Sequence, residues 1–477
     1  MEGQIKDQNS ETTPLVLDVD GTLLRTDLLL ETIWAALARN TVAALRIIFR
    51  NLAKPQLLKR ELLTIARPDI ALLPARQEVL DMAQAVKSQG GTVHLASGAD
   101  KELVDAVAER FDIQGPNWGT TPERNLTLEE KAALICDKLG PEGYDYAGNS
   151  WADLPSWKSA RRIIAVAPGA RLKAEIYRLG KPIQILVDGW TLRDALGEMR
   201  LLQWIKNLLV LLPMLASLPA SPHVVLKVLA ATLSFGLAAS AIYIFNDLTD
   251  LDSDRRHPEK KERPIASGRL PISVAMGLGI VLVVLSWSLA LAVGPWVWAT
   301  IVVYMVLNLA YSLSLKRKRW IDVVVLAAFF LIRFLTGAIA ADVVVPPLFL
   351  GFVFAVFLSL ACVKRLTALA RSRSKEHLPG RGYRPADARN LQIIAYGSAL
   401  FSIVLFLLAT LPAGAVPDVS TPLLMSLSML PFGIWLVRII WLSFQGREDY
   451  DPVVFVTHDR VGLGMLALSI LIVLISL

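Results

Sequence analysis

The chain has 477 residues, 54% of them hydrophobic, and a formal net charge of +7. A soluble protein averages about 45–50% apolar residues; here the excess lies beyond about residue 203, which excludes a single soluble domain. Two distant cysteines, Cys136 and Cys362, exclude a disulfide framework or a thiolate metal site. The basic excess sits in loops between apolar runs, so it points to membrane headgroups or phosphates and not to nucleic acid.

The first residues, MEGQIKDQNSETTP, are polar and hold no apolar stretch of signal-peptide type, so the first domain is expected to stay on the side where it is made. LVLDVDGTLL then reads as a buried strand whose C-terminal end presents Asp18 and Asp20. TVHLAS is a second strand and delivers Ser97. The helical stretch LTLEEKAALICDKLG carries Lys131. YDYAGNSWADLP brings Asn149 and Asp153, and IIAVAP is a fourth strand. Strands alternating with helices predict a doubly wound α/β sheet with its site at the strand C-termini. Residues from about 28 to 85 form a helical insertion suited to a cap.

The order DVDGT, Ser, Lys, G-N-S-x-x-D resembles the four motifs of the haloacid dehalogenase (HAD) phosphohydrolases over about residues 12–170. The resemblance implies Asp18 as nucleophile and Asp20 as general acid and base. Thr22, Ser97 and Lys131 would hold phosphoryl oxygens, and Mg²⁺ would sit among Asp18, Asp20, Asn149 and Asp153. One position departs: Asn149 stands where the family has an aspartate. A capping strand end or an inert relic of the fold is the competing reading.

Residues 171–200 mix basic and apolar side chains and read as an amphipathic linker. From 201 onward nine apolar spans are expected, near 204–221, 223–245, 271–293, 295–314, 320–341, 346–364, 390–411, 421–444 and 461–477. Each is about the 20 residues that cross a bilayer. The loops after spans two, four and six are rich in Lys and Arg, whereas the intervening ones have none. The positive-inside rule makes this a multi-pass protein of the cell (inner) membrane with a cytoplasmic N-terminal domain.

Span two ends in FNDLTDLDSDRRHPEKKERPIASG. On a helix, Asp247, Asp250 and Asp254 share one face with Asn246 beside them. Three converging carboxylates need a cation, and Mg²⁺ suits a site completed by phosphate oxygens. Lys260 and Arg263 follow within reach of those phosphates; Lys261 reads as a solvated topology charge. The alternative is a charged helix end in water.

This N-D-x-x-D-x-x-x-D pattern among apolar helices resembles the UbiA superfamily of intramembrane transferases over about 190–477. The loop H-P-x-K-x-x-R-P-I-A-S-G is similar to the branch typified by decaprenyl-phosphate phosphoribosyltransferases. Arg200 with QWIKN, YSLSLK, Asp322, Arg333, Lys364-Arg365, and Asp451 with Asp459-Arg460 agree with it. The resemblance implies phosphoribosyl diphosphate as donor and a polyprenyl phosphate as acceptor. Lys206, Asn207, Lys260, Arg263, Tyr311, Lys316, Asp322, Arg333, Lys364 and Arg365 would bind phosphate or substrate. Tyr311 reads equally as an interfacial aromatic. After span six, KRLTALARSRSKE is basic where prenyltransferases have a second acidic motif, which favours a lipid monophosphate. The phosphatase domain would then remove the 5-phosphate. A prenyltransferase with an inactive HAD domain and a transporter-like bundle are the rivals; no convincing internal repeat supports the latter. The sequence leaves open a monomer or a homo-oligomer.

Overall fold

A computed structural model describes residues 13–186, 189–217, 219–371, 378, 381–411, 421–445 and 459–476. Contacts divide the chain into two compact units, Met1–Met199 with Tyr243–Gly279, and Arg200–Ile242 with Ile280–Leu477.

The first unit is built on six parallel strands: β1 (Leu15–Leu17), β2 (Val93–Asp100), β3 (Trp118–Thr120), β4 (Asp145–Gly148), β5 (Arg162–Ala165) and β6 (Ile183–Ile185). Their order is β3-β2-β1-β4-β5-β6. Its helices are α1 (Leu28–Asn51), α2 (Pro55–Ile65), α3 (Gln77–Ser88), α4 (Lys101–Arg110), α5 (Leu128–Leu139), α6 (Leu154–Ser159), α7 (Ala170–Arg178) and α8 (Leu192–Met199). Alternation along β1 explains the two-sided core: Leu15 and Leu17 pack into one apolar layer with Val93, Leu95 and Val104. Val16 faces the other, with Tyr144, Tyr146 and Trp157. The order reverses between β1 and β4, the switch point where such sheets open a crevice at the strand C-termini. Asp18 and Asp20 follow β1; Asn149 and Asp153 follow β4.

The strands expected from sequence are all present. Two expectations need correction. Residues 171–200 are not a bare linker, because α7 lies there and β6 pairs with β5 from Ile163↔Ile183 to Ala165↔Ile185. The cap is shorter than 28–85: α3 buries Val79 and Ala83 in the sheet core, which leaves α1 and α2 as its helices. Asp27 starts α1 by accepting the Leu30 N–H at 2.9 Å.

The remaining helices are α9 (Pro222–Thr249), α10 (Leu251–Arg256), α11 (Ile272–Val293), α12 (Pro295–Leu313), α13 (Ile321–Ala340), α14 (Pro347–Arg371), α15 (Ala388–Thr410), α16 (Pro422–Leu427), α17 (Met429–Phe444) and α18 (Arg460–Ser476). Among the described residues eight helices are long and apolar enough to cross a membrane, or nine if the broken stretch 192–217 counts as one. One of the eight is α1, in the α/β unit. Seven of the nine expected spans are long apolar helices. The first is instead a run of tight 3₁₀ turns over Leu201–Val210 and Leu212–Ser217, where Pro213 withholds an N–H from the α-helical ladder. The last, α18, has 17 residues. The expected motif residue Asp451 lies outside the described residues.

Candidate active sites

The crevice at β1 and β4 gathers seven of the residues expected from sequence: Asp18, Asp20, Thr22, Ser97, Lys131, Asn149 and Asp153. Lys131, projected from α5, donates to Asp18 Oδ1 at 3.0 Å and to Asp153 Oδ1 at 2.7 Å. Thr22 donates to Asp18 Oδ2 at 3.3 Å. Asp20 accepts the Leu28 N–H at 2.8 Å and the Ser97 hydroxyl at 3.0 Å. Gly21 makes the turn possible. Its φ is +74°, and a Cβ there would stand 2.1 Å from the Asn149 side-chain nitrogen, so no other residue lets Asn149 come so close.

Burial pushes Asp18 up to about 7 against the opposing charge of Lys131. Burial, then Asp27 and Asp18, raise Asp20 well above the carboxylate range. An acid held protonated beside a nucleophile is the arrangement that acid–base work requires. Burial would raise Asp153 too, but Lys131 outweighs it and holds the carboxyl low.

Asp153 serves differently from the metal ligand expected. Its Oδ1 accepts from Lys131 and Tyr146, and its Oδ2 accepts from the Asn149 and Ser150 N–H groups and the Ser150 hydroxyl. Those bonds fill the lone-pair directions of both oxygens. Asp153 therefore positions Lys131 and the Asn149 turn. The remaining donors, Asp18 and the Asn149 amide, fit a divalent cation through hard oxygens, with one full charge between them.

Sequence reasoning missed Lys59. It reaches from α2 in the cap to the Gly98 carbonyl at 2.5 Å and Asn125 Oδ1 at 3.1 Å. Burial lowers its pKa while Asp20, Asp27 and Asp100 pull it back up. No spacing in the sequence ties a cap lysine to the catalytic strand.

The second cluster follows α9, in the same unit. Arg263 Nη1 donates to Asp247 Oδ1 at 2.9 Å and also to Asp254 Oδ2. Lys260 lies 3.5 Å from Asp254. Asp250, between α9 and α10, leaves helical geometry at φ −105°, ψ 15°. The expected convergence of three carboxylates is thus a convergence of two on one guanidinium. Among the described residues no group of three or more His, Cys, Asp or Glu is gathered to hold a metal. Two carboxylates aimed at one cation still fit Mg²⁺, which takes one or two plus substrate phosphates. Asn246 is half-buried beside them.

Arg255 and Arg256, expected as topology charges, have specific partners. Arg255 makes a two-pronged pair with Glu31 of α1, at 3.0 and 2.6 Å, and its Nε donates to the Ala266 carbonyl at 3.0 Å. Arg256 pairs with Asp69 at 2.9 Å. The acidic-motif segment is therefore fastened to the cap.

In the other unit, Asp322 is fully buried. It accepts from Tyr311 at 2.7 Å, from both Arg365 Nε and Nη2, and from Arg381 at 2.8 Å. Tyr311 is thus a network member, not an interfacial anchor. Arg333, inside α13, donates to Asn207 at 3.1 Å and to the Tyr304 hydroxyl at 3.1 Å, and its guanidinium stands 5.0 Å from the Phe235 ring. These partners offset the cost of an intramembrane charge. Lys206, Lys316 and Lys364 are half-buried in the same unit. Arg381 and Tyr304 escaped sequence reasoning. Near the C-terminus Asp459 pairs with Arg438.

The N-terminal part of the chain forms a parallel-sheet α/β domain, and an all-α domain of membrane-spanning helices follows it in sequence. The chain belongs to the UbiA prenyltransferase family, whose model matches residues 208–459. It is 33% identical to an uncharacterized protein, y4nM, of Sinorhizobium fredii, over 94% of this chain and 88% of that one. It is 31% identical to the nodulation protein NoeC of Azorhizobium caulinodans, over 54% of this chain and 85% of that one. It is also 31% identical to a decaprenyl-phosphate phosphoribosyltransferase of Mycolicibacterium smegmatis, over 54% and 84%.

Proposed function

We propose that this protein transfers 5-phosphoribosyl from phosphoribosyl diphosphate to a polyprenyl phosphate, and that its HAD-like domain then removes the 5-phosphate. The product is a polyprenyl-phosphoryl ribose, made at the cytoplasmic face of the cell membrane. The observation that carries the reading is the pairing of Asp247 and Asp254 on one cation, flanked by Lys260. That arrangement suits a diphosphate leaving group. The relative named decaprenyl-phosphate phosphoribosyltransferase supports the same donor and acceptor.

Asp247 and Asp254, with Asp250 and Asn246 nearby, would hold Mg²⁺ at the membrane site; Asp18 and Asn149 would hold it at the soluble one. When bound, the ion supplies positive charge to phosphoryl oxygens. Lys260 and Arg263 bind the diphosphate as it departs. The acceptor phosphate is already ionised, so its attack on ribose C1 needs no strong base. In the HAD domain Asp18 attacks phosphorus, Lys131 neutralises the charge that develops, and Asp20 protonates the leaving 5-oxygen. Asp20 then takes a proton from the water that hydrolyses the aspartyl-phosphate. Joining both sites in one chain raises the effective concentration of the second substrate.

The test is to incubate the purified protein with Mg²⁺, a polyprenyl phosphate and labelled phosphoribosyl diphosphate. Wild type should yield a lipid-linked ribose, and Asp18→Asn should stop at its 5-phosphate. Transfer of label only from a prenyl diphosphate would overturn the reading in favour of a prenyltransferase.

A further inference from the structure

Beside the catalytic crevice lies a cavity of about 330 Å³ whose lining includes Asp20, Asn149, Arg25, Arg76, Trp190 and Arg269. We propose that it is a two-anion site. Its catalytic end takes a phosphate monoester, and Arg25 with Arg76 takes a second phosphoryl group on the same small molecule. The inference rests on the phosphatase reading above and deepens it. The chemistry that fits is a pentose 5-phosphate bearing a phosphate ester or a diphosphate at C1.

Three acids face the cavity, and each is engaged. Asp20 is held by Leu28 and Ser97, and Asp27 caps α1. Asp194 accepts from Thr191 at 2.6 Å and from Arg269 at 3.3 Å. Arg269 also donates to the Glu262 carbonyl, so its charge is committed. Arg25 and Arg76 are not. Among the described residues neither makes an ion pair; Arg76 donates only to the Gly21 carbonyl at 3.2 Å, and Arg25 Nε is buried without a partner. Burial, and then the like charge of Arg25, lower the Arg76 pKa. Glu78 offsets part of the charge on Arg76 but forms no ion pair with it; the two neighbouring guanidinium groups repel each other, and a bound anion relieves both the repulsion and the orphaned N–H.

The site is also built by the transferase loop. Gly268 has φ +72°, and a Cβ there would stand 2.6 Å from Arg25 Cβ and 2.9 Å from Pro74 Cγ. The turn closing the acidic-motif loop thus lies directly on Arg25, and the next residue, Arg269, enters the cavity wall. The HAD domain's substrate pocket is completed by residues 268–273, which follow the second span in sequence.

Two sources supply such a molecule: the phosphorylated lipid product, or the soluble donor itself. The full-length protein is given three ready-made probes and phosphate release is followed. They are a short-chain prenyl ester of phosphoribosyl phosphate, phosphoribosyl diphosphate, and ribose 5-phosphate, which lacks the second anion. Wild type should show a kcat/KM at least about tenfold higher for a two-anion probe than for ribose 5-phosphate. A preference for the ester identifies the lipid product as the source, and one for the diphosphate identifies the donor. Arg25→Gln should reduce the preference about tenfold or more, mainly through KM, and Arg25→Lys should restore part of it. Equal rates on all probes in wild type, or an undiminished preference in Arg25→Gln, overturn the two-anion site and leave the phosphatase reading standing. No hydrolysis of any probe overturns both. Because the probes need no prior transfer, failure of the transferase assay is seen separately.

Discussion

The two acidic clusters of the first unit solve the same electrostatic problem with opposite architecture. Around Lys131 the acids come from distant parts of the chain, Asp18 and Asp153, and the lysine side chain is 5% exposed. Around Arg263 both acids come from one short segment, Asp247 at the end of α9 and Asp254 in α10, and the arginine side chain is 27% exposed. A sheet fixes the first cluster from both sides of its switch point, and its charged groups are buried. The second is local and more open, which suits the bulky anionic donor proposed for it. Under the proposed function, pre-organisation falls on the hydrolytic site and access on the transfer site.

That contrast predicts the largest losses at the buried cluster. Asp18→Asn should reduce phosphate release roughly 10³-fold or more, the scale of removing a nucleophile, while label incorporation into lipid continues. Retained phosphate release would break the assignment. At the open cluster Asp247→Asn should lower transfer about 10²–10³-fold. Lys260→Gln should cost about tenfold or less, because a half-exposed cation is screened. Equal losses for the two would show the open site to be as rigid as the closed one.

The link between the clusters is a third, smaller lever. Glu31 and Arg255 are 2% and 3% exposed as side chains, so Glu31→Ala strands a buried guanidinium. It should destabilise the protein by about 3–5 kcal/mol, read as a drop in apparent Tm. The double variant Glu31→Leu, Arg255→Met should recover most of that, since the penalty lies in the unpaired charge. If the single variant alone is neutral, the segment is not fastened through this pair.

What the sequence could reveal follows the same division between local and distant. Asp18, Ser97, Lys131 and Asn149 were legible because Asp18 and Asn149 follow strands, Ser97 lies within β2 and Lys131 sits on a helix with its own pattern. β3 and β6 were not, since WGT and IQI are three residues each, too short for alternation to register. The expected three-carboxylate site followed from ideal helical spacing, and Asp250 defeats it by leaving the helix. Glu31 and Arg255 are 224 residues apart, and an arginine in a basic loop carries no mark that separates a partnered charge from a topological one. Arg25 and Arg76 became visible only once the sheet closed a cavity around them.

The smallest expected effect concerns pH. Asp18 lies at about 7 because burial disfavours its charged form, so folding favours the protonated carboxyl. The stability this contributes is present below the ordinary carboxylate range and is lost as pH rises through about 7. Protein stripped of divalent ions with a chelator should therefore have a lower apparent Tm at pH 8 than at pH 6. Asp18→Asn should lessen that decline near neutrality, leaving the part that Asp20, also raised by burial, contributes over the same range. Mg²⁺ should flatten it as well, because a cation bound beside Asp18 stabilises the ionised form that burial opposes. If Mg²⁺ leaves the slope unchanged while Asp18→Asn lessens it, the Asn149 amide does not complete a metal site, and Lys131 is left as the principal counter-charge of Asp18.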